Sequence, residues 1–444
     1  MSGGWPAVIE AVRPIRTGAV SRIVGLGVDI RGVHGAVGDL VELGGQTGGG
    51  AIGGGTPGIP AEVVAADRGV LRCMPLGVTD GLRVGDPVRA LAGRARVPVG
   101  SAALGRVLDG LGRPIDGRGP LVAPRVDLDH APPSAMGRER ITDPLITGVR
   151  AIDTLTPLGR GQRVGLFAGS GVGKSSLLSM IARGSSATAN VIALVGERGR
   201  EVREFLEDDL GPDGLARSVV VVSTSDQPAM ARLRAASTAT RIAESFRDEG
   251  QHVVLMMDSL TRVAMAQREI GLAAGEPPAT RGYPPSTFPV LARLLERAGT
   301  DCRGSITGIY TVLVEGDDHN EPVADTVRSI LDGHLVLDRT LAVTGHHPAI
   351  DVLGSVSRLA GKVATGEQRR LATTLRSVLA ARQEAQDLIG VGAYQSGANP
   401  RVDAAVASAR AIDAFLRQDL DDRSPAGESW RRLGELVASF GDVS

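Results

Sequence analysis

The segment Gly165-Leu-Phe-Ala-Gly-Ser-Gly-Val-Gly-Lys174-Ser175-Ser176 decides the fold class of this chain. An apolar run leads into a glycine-rich turn, and Lys174 and Ser175 open a second apolar stretch. This is the strand–loop–helix order of a P-loop, in which backbone N–H groups wrap a phosphate and a helix N-terminus faces the anion. The predicted nucleotide-binding residues are Ala168, Gly169, Ser170, Gly171, Val172, Gly173, Lys174, Ser175 and Ser176.

Three positions of this segment have specific expectations attached. Lys174 is placed to reach the β- and γ-phosphates, and the hydroxyl of Ser175 is placed to hold Mg2+. Ala168 stands where the P-loop pattern has its first glycine, and alanine fits there only if the backbone needs no positive φ. The alternative interpretation is a flexible glycine turn before a helix, but Gly-Lys-Ser in this context favours a P-loop.

Length and composition restrict the possible functions. With 444 residues the chain is too long for one hydrophobic core, so two or three domains are expected. Its net charge of −1 gives no general attraction to nucleic acid or anionic membranes. Between Trp5 and Phe167 the chain has no aromatic residue, so its first third lacks stacking faces for single-stranded nucleic acid. Cys73 and Cys302 have no metal-type spacing, which predicts neither a disulfide framework nor a zinc site. We expect no membrane span and no signal segment.

The residue pattern changes twice along the chain and predicts three domains: a small β-barrel over 1–91, an α/β domain over 92–360 and a helical domain over 361–444. The glycine-rich run 44–55 is interpreted as a surface loop, because no basic residue or following helix accompanies it. Barrel strands are predicted at 18–24, 38–43, 61–65 and 87–91, and buried parallel strands at 163–167, 191–195, 219–222, 253–257 and 309–314. Apolar helix faces are predicted at Leu371, Leu375, Val378 and Leu379, and at Val402, Val406 and Phe415.

Two carboxylates follow predicted parallel strands. Asp258 ends the strand at 253–257 and Glu197 follows the strand at 191–195, so both are expected at the ligand-binding edge of the sheet. Asp258 fits a magnesium ligand, with a helix N-cap as the alternative. Glu197 fits the group that orients or deprotonates an attacking water, with a surface salt bridge to Arg198 or Arg200 as the alternative.

These residues lie in longer motifs that resemble one family, the type III secretion ATPases, and within it the flagellar export ATPases. The family is related to the alpha and beta subunits of rotary ATP synthases. The motifs are Gly196-Glu-Arg-Gly-Arg-Glu-Val202, Asp258-Ser-Leu-Thr-Arg-Val-Ala-Met-Ala-Gln-Arg-Glu-Ile270 and Gly275-Glu-Pro-Pro-Ala-Thr-Arg-Gly-Tyr-Pro-Pro-Ser286, with further similarity at 97–117, 315–318 and 324–334. The resemblance spans residues 15–420 and implies a RecA-like P-loop core between a β-barrel and a helical domain.

The resemblance also implies roles for single residues. Glu197 would be the catalytic carboxylate, and Arg198 and Arg262 would contact the γ-phosphate. Asp258, Ser175 and Glu201 would form the magnesium shell, Glu201 by ordering water. Arg358, in Ser355-Val-Ser-Arg358, matches the arginine finger that a neighbouring subunit inserts into the site.

Because Glu197 and Arg358 occur in one chain, a homohexameric ring is expected in which each subunit completes its neighbour's site. One position departs from the family: His347 stands where the relatives have a tyrosine that stacks on adenine. Histidine offers a smaller stacking face and can titrate. Tyr394 is a candidate for the other wall of the base pocket, and ordinary packing is the alternative for both residues.

The resemblance implies an ATPase, with Mg2+ and ATP, that powers export of flagellar components from the cytoplasmic face of the bacterial inner membrane. Implied partners are a stator-like regulator (FliH-like), a stalk-like coiled coil (FliJ-like), export chaperone–substrate complexes and the membrane export gate, with no nucleic acid. An injectisome ATPase is the alternative. A non-catalytic ring subunit is disfavoured by Glu197, where such subunits have glutamine. An RNA-translocating hexamer is disfavoured by the aromatic-free first third.

Overall fold

The computed structural model describes residues 17–45, 58–314 and 321–441. Trp5, most of the glycine-rich run 44–55 and the motif at 315–318 lie outside these ranges, so the surface-loop interpretation stays a prediction. In the described part of the chain, no helix is long and apolar enough to cross a membrane.

The N-terminal part of the described chain forms a closed β-barrel. Its strands are β1 (Thr17–Val24), β2 (Gly27–Arg31), β3 (Asp39–Leu43), β4 (Ile59–Asp67), β5 (Val70–Pro75) and β6 (Pro87–Arg94). They are hydrogen-bonded in the order β1-β2-β5-β4-β3-β6, and β1 pairs with β6, so that no sheet edge stays open. The four predicted barrel strands are confirmed.

Strands β2 and β5 were not predicted from the sequence. Both are short, and both have a charged residue inside: Asp29 in β2 and Arg72 in β5. The two side chains form an ion pair across the strands, with 2.7 Å between Arg72 Nε and Asp29 Oδ1. The two charged residues interrupt the apolar pattern by which a strand is recognised in the sequence, although their ion pair stabilises the strand pairing.

The central domain is built on a mostly parallel sheet. Its strands are β8 (Val107–Asp109), β12 (Arg163–Ala168), β13 (Ala189–Val195), β14 (Ser218–Ser223), β15 (His252–Asp258), β16 (Gly299–Thr300), β17 (Ser305–Leu313), β18 (Gly333–Leu337) and β19 (Ile350–Ser357). In the described chain the sheet follows the order β19-β18-β12-β17-β15-β13-β14-β8, with β16 beside β17, and only β19 and β16 run antiparallel to their neighbours. Two short pairs flank it: β7 (Arg96–Pro98) with β9 (Arg125–Asp127), and β10 (Pro144–Leu145) with β11 (Leu158–Gly159).

The five predicted core strands are confirmed as β12, β13, β14, β15 and β17. They are almost wholly buried because helices cover both faces of the sheet, which is why they appear in the sequence as unbroken apolar runs. Strands β18 and β19 were not predicted. Their buried and half-buried residues alternate at the rim of the sheet, and this gives no continuous apolar run.

The helices of the central domain include one that starts directly at the P-loop. In chain order they are α1 (Arg150–Leu155), α2 (Lys174–Gly184), α3 (Gly199–Glu204), α4 (Gly211–Ala216), α5 (Ala229–Asp248), α6 (Leu260–Ala274), α7 (Thr287–Glu296), α8 (Pro322–Ile330) and α9 (Arg339–Val343), with a π-helical turn, Phe205–Leu210, between α3 and α4.

The C-terminal region is helical, as predicted. Its helices are α10 (Ala360–Val363), α11 (Gly366–Glu384), α12 (Gln386–Gly390), α13 (Pro400–Ala407), α14 (Ala409–Leu416) and α15 (Ala426–Ala438). Leu375, Val378, Val402 and Phe415 are buried as expected, but Val406 is 47% exposed. The prediction for Val406 was wrong because the chain breaks between α13 and α14, so the two helices do not share one face. The domain boundaries at 91 and 360 stay predictions.

Candidate active site

The P-loop lies between β12 and α2 and has the geometry of an anion site. Gly171 and Gly173 have φ values of 75° and 92°, in the left-handed region that favours glycine. Gly173 is the N-cap of α2, and no side chain caps the first N–H groups of that helix. These N–H groups and the positive end of the helix dipole are therefore free to face a phosphate. Lys174, Ser175 and Ser176 form the first turn of α2.

The departure at Ala168 is explained by its place in the sheet. Ala168 is the last residue of β12, is buried, and accepts a hydrogen bond from the N–H of Val314 at 3.2 Å. Its backbone is extended, so alanine is unstrained there. At the next residue, Gly169, a Cβ would lie 2.8 Å from Nη2 of Arg339, so a larger residue there would displace the end of that flexible side chain. Sequence reasoning did not single out Arg339.

Three charged side chains meet at the carboxyl edge of the sheet. The Nζ of Lys174 lies 2.6 Å from Oδ1 of Asp258 and 3.5 Å from Oε1 of Glu197. β13 and β15 are parallel neighbours, with Leu194 opposite Asp258, and this register brings both carboxylates to the start of α2. The structure therefore brings together the lysine and the two carboxylates that the sequence placed at strand ends.

Burial and charge tune this cluster. Burial raises the pKa of Glu197 to about 7; the facing Asp258 and Glu201 raise it too, and Lys174 opposes the rise. Burial lowers the pKa of Lys174, but Asp258 and Glu197 outweigh burial and leave that pKa raised. Lys174 is thus charged at neutral pH, while Glu197 is poised to gain or lose a proton. A carboxylate with this pKa is suited to accept a proton from water.

Thr311 is a further residue of the site, and sequence reasoning missed it. It lies on β17, fully buried, and its hydroxyl donates to Oδ1 of Asp258 at 2.7 Å. β17 lies between β12 and β15, so Thr311 holds the Asp258 carboxylate from the strand beside it. A single threonine in an apolar strand gives no sequence signal, but the parallel order of the strands would have placed it there.

Two predicted arginines lie near the cluster in different settings. Arg198 is exposed and pairs with Glu201, with 3.1 Å between Nη1 and Oε1. Arg262 lies in the first turn of α6, where its backbone N–H donates to the Ser259 hydroxyl at 3.4 Å. The aliphatic part of its side chain lies against Gly196, next to Glu197. The alternative for Asp258, a helix N-cap, is not what the structure shows, because the cap of α6 is Ser259.

Arg358 lies at the opposite edge of the sheet. It follows β19, which runs antiparallel to β18 and pairs Ser357 with Gly333. Gly333 lies beside the start of β12, since His334 is opposite Gly165. Arg358 is exposed there, separated from the P-loop of its own chain by the length of β12, roughly 15–20 Å.

The two candidates for the base pocket lie in different places. The ring of His347 is next to the P-loop, with Nδ1 3.6 Å from where a Cβ on Gly173 would be. The hydroxyl of Tyr394 bonds to the carbonyl of Asn399 in its own loop and to Oδ1 of Asp403 in the following helix α13, both at 3.1 Å. Stacking on a base stays a prediction for both residues.

The fold and the site define a P-loop nucleotide-binding protein with a RecA-like core. Residues 148–357 match the model of the ATP synthase alpha/beta family, nucleotide-binding domain, and residues 364–435 match that of the T3SS EscN ATPase C-terminal domain.

Similar proteins cover nearly the whole chain. The chain is 49% identical over 428 residues to the flagellum-specific ATP synthase of Bacillus subtilis (strain 168), covering 96% of each. It is 53% identical over 362 residues to the SPI-2 type 3 secretion system ATPase of Salmonella typhimurium, covering 82% of this chain and 84% of that protein. Among solved structures, the assembled ATPase EscN in complex with its central stalk EscO, from enteropathogenic E. coli, gives a TM-score of 0.86 at 42% identity, covering 95% of this chain and 100% of that chain.

The chain therefore belongs to the family of type III export ATPases, which includes flagellum-specific ATP synthases and type 3 secretion system ATPases. It is an ATPase, as the sequence predicted.

Replacing Thr311 by valine removes only the hydroxyl that bonds to Asp258. Because a hydrogen bond to a charged group contributes about 1.5–3 kcal/mol, we expect kcat for phosphate release from ATP to fall about tenfold or more. The matched control is Thr307→Val. Thr307 is also buried on β17, but it lies near the start of the strand, away from Asp258, and its hydroxyl accepts from the N–H of Gly161 at 2.8 Å. A kcat that falls equally in both variants would contradict a role for Thr311 at Asp258.

Proposed function

We propose that this protein hydrolyses ATP with Mg2+ to power type III protein export, and export of flagellar components in particular. The observation that carries the proposal is the cluster of Lys174, Glu197 and Asp258 beside the P-loop, in which the pKa of Glu197 is raised to about 7. The cluster combines a phosphate-binding cation, a candidate general base and a hard oxygen ligand.

The residues present fit a magnesium ion that arrives with the nucleotide. The Ser175 hydroxyl is in the first turn of α2 and the Asp258 carboxylate faces that turn, so both offer the oxygen ligands that Mg2+ prefers. Within the described ranges, no three His, Cys, Asp or Glu side chains cluster closely enough to hold a metal without further ligands. The ion would neutralise charge on the phosphate oxygens, and Glu201 would order water near it.

The protein groups divide the remaining work. Lys174, now paired with Asp258, turns to the β- and γ-phosphates when they occupy the loop. Glu197 accepts a proton from the attacking water, and Arg198 and Arg262 contact the γ-phosphate. Arg198 reaches it by leaving its exposed pair with Glu201, which costs little because exposed ion pairs are weak.

The position of Arg358 supports a homohexameric ring. It is exposed at the edge of the sheet away from its own P-loop, where it is available to the site of a neighbouring subunit. There it neutralises charge on the phosphoryl group in transfer. A solved relative, EscN, is described as assembled and in complex with its central stalk EscO.

We further propose the setting and the partners that the family resemblance implies. The ring works at the cytoplasmic face of the inner membrane with a stator-like regulator, a stalk-like coiled coil, export chaperone–substrate complexes and the export gate. The similarity to EscN with its stalk supports the stalk partner. Identity of 53% to an injectisome ATPase makes that system the second candidate.

Glu197→Gln removes the general base while keeping size and polarity. We expect kcat for phosphate release from ATP to fall by about 10²–10⁴-fold. In the unmodified protein kcat/KM should rise with pH up to about 7 and then level off, because only the ionised Glu197 accepts a proton and its pKa is about 7. Glu204→Gln, at an exposed residue paired with Arg200, is the control and should keep full activity. Undiminished hydrolysis by Glu197→Gln would refute the assigned role.

Mixing two inactive variants tests the shared site. Arg358→Ala and Glu197→Gln subunits should each be inactive alone, since loss of an arginine finger costs on the order of 10³–10⁵ in rate. In mixed rings some sites combine an intact Glu197 with an intact neighbouring Arg358, so the recovered activity should follow the product of the two subunit fractions and peak at an equal mixture. If no mixture regains activity while both variants still assemble, as judged by light scattering, Arg358 does not act across subunits.

Deletion of the gene in the source bacterium separates the two export systems. If the chain serves flagellar export, the cells should be non-motile and lack filaments, while secretion of injectisome effectors stays unchanged. The intact gene should restore motility and filaments, and the Glu197→Gln form should not. Normal motility with lost effector secretion would assign the chain to the injectisome instead. Electron microscopy of filaments and assay of secreted proteins give the two readouts.

A further inference from the structure

Gln418 joins the C-terminal helices to the nucleotide-binding domain through its backbone N–H and both polar atoms of its side chain. It follows α14 and is 5% exposed. Its backbone N–H donates to the carbonyl of His347 at 2.9 Å. Its side-chain Oε1 accepts from the N–H of Arg150 at 2.8 Å, and its Nε2 donates to the carbonyls of Gly148 at 2.7 Å and Asp422 at 2.8 Å. Three of these four bonds cross from the C-terminal region to the nucleotide-binding domain.

The bonded segments touch both ends of the P-loop helix α2. His347 lies beside Gly173, the N-cap of α2. Gly148 packs against Gly184, the last residue of α2, so closely that a Cβ on Gly148 would lie 3.0 Å from the Gly184 Cα. One buried amide thus reaches, through its partners, the phosphate-binding end and the far end of the same helix.

The loop that receives Gln418 is hydrogen-bonded to Asp153 on its other side. Asp153, buried in α1, accepts from the N–H of Thr147 at 2.8 Å and from the N–H of Gly148 at 3.0 Å. The N–H of Gly148 is therefore satisfied within the nucleotide-binding domain, and its carbonyl accepts from Gln418 Nε2 at 2.7 Å and from the N–H of Ser424 at 3.4 Å. Loss of the Gln418 amide leaves this buried carbonyl with only the longer bond and takes the acceptor from the N–H of Arg150, so the loop is expected to shift.

The residues after α14 continue the contact along α2. Arg183, near the end of that helix, pairs with Asp421 at 2.7 Å and donates to the carbonyl of Leu420. The same segment therefore follows one side of the P-loop helix. The side chain of Gln418 fixes this residue against the nucleotide-binding domain, and the backbone N–H of the same residue bonds to the carbonyl of His347.

We infer that Gln418 is a positioning residue that holds His347 against the start of the P-loop helix and thereby sets the affinity for ATP. The inference rests on the proposed function, because it takes ATP as the ligand. Gln418 touches neither phosphate-binding groups nor Glu197, so it acts on binding through His347 and leaves the chemical step to the Lys174 cluster.

The test is a KM-against-kcat comparison on the full chain. Gln418→Met keeps the length of the side chain and removes its hydrogen bonds, and Gln418→Asn keeps the amide but is too short to reach all three side-chain partners. We expect KM for ATP to rise about 5–20-fold in both variants, with kcat within twofold of the unmodified protein. Gln383→Met, at an exposed glutamine of α11, is the matched control and should leave both values unchanged. An unchanged KM, or a fall in kcat alone, would overturn the inference.

A double-mutant cycle identifies the route of the effect. In a His347→Ala background, Gln418→Met should add less than twofold to KM, because the group through which it acts is gone. Full additivity would overturn the assignment to His347. Thermal unfolding of each variant checks that the chain is folded, and if Gln418→Met does not fold, the Asn variant alone carries the comparison.

Binding of a fluorescent ATP analogue separates this inference from the proposed function. Its dissociation constant should rise by the same factor as KM in the Gln418 variants. If the unmodified protein releases no phosphate from ATP at any concentration, the proposed function fails, and the dissociation constants still decide the role of Gln418. Equal dissociation constants in the variants and the unmodified protein would count against it whatever the hydrolysis assay shows.

Discussion

One cation between two carboxylates organises the carboxyl edge of the central sheet. Lys174 comes from the first turn of α2, while Asp258 and Glu197 come from the ends of neighbouring parallel strands. Without the ammonium group, the two carboxylates would repel each other across a largely dry edge of the sheet. The strand order, the start of α2 and the hydroxyl of Thr311 all serve this arrangement. An incoming phosphate therefore meets a site whose charges are already placed and only change partners, which limits the reorganisation that hydrolysis requires.

The sequence predicted the parts of the fold that depend on local pattern. The five core strands are continuous apolar runs, and the carboxylates after two of them could be assigned to one edge because parallel strands end together. Strands β2 and β5 were missed because a charged pair interrupts them, and β18 and β19 because half-buried rim strands have no continuous apolar run. The failure at Val406 has a similar local cause, a helix break that the apolar spacing does not show.

The missed residues of the site depend on contacts between distant parts of the chain. Thr311 is informative only once β17 is known to lie beside β15. Gln418 bonds to the N–H of Arg150 across 268 positions of sequence, and a glutamine between two charged residues looks like an ordinary surface position. Arg339 lies over Gly169 only because β18 is next to β12. The places of these three residues follow from the order of the strands and from contacts between domains, and neither can be read from a single sequence.

The reversed direction of β19 gives the molecule two unlike edges. The phosphate-binding loop is at one edge and the exposed Arg358 at the other, so a contact that joins them is head-to-tail and repeats in one direction. An open row of subunits always ends with one arginine that has no neighbour's site and one site that has no arginine. Only closure removes both ends and makes the number of complete sites equal to the number of subunits. A closed ring is in this sense the smallest unit in which no chain is idle.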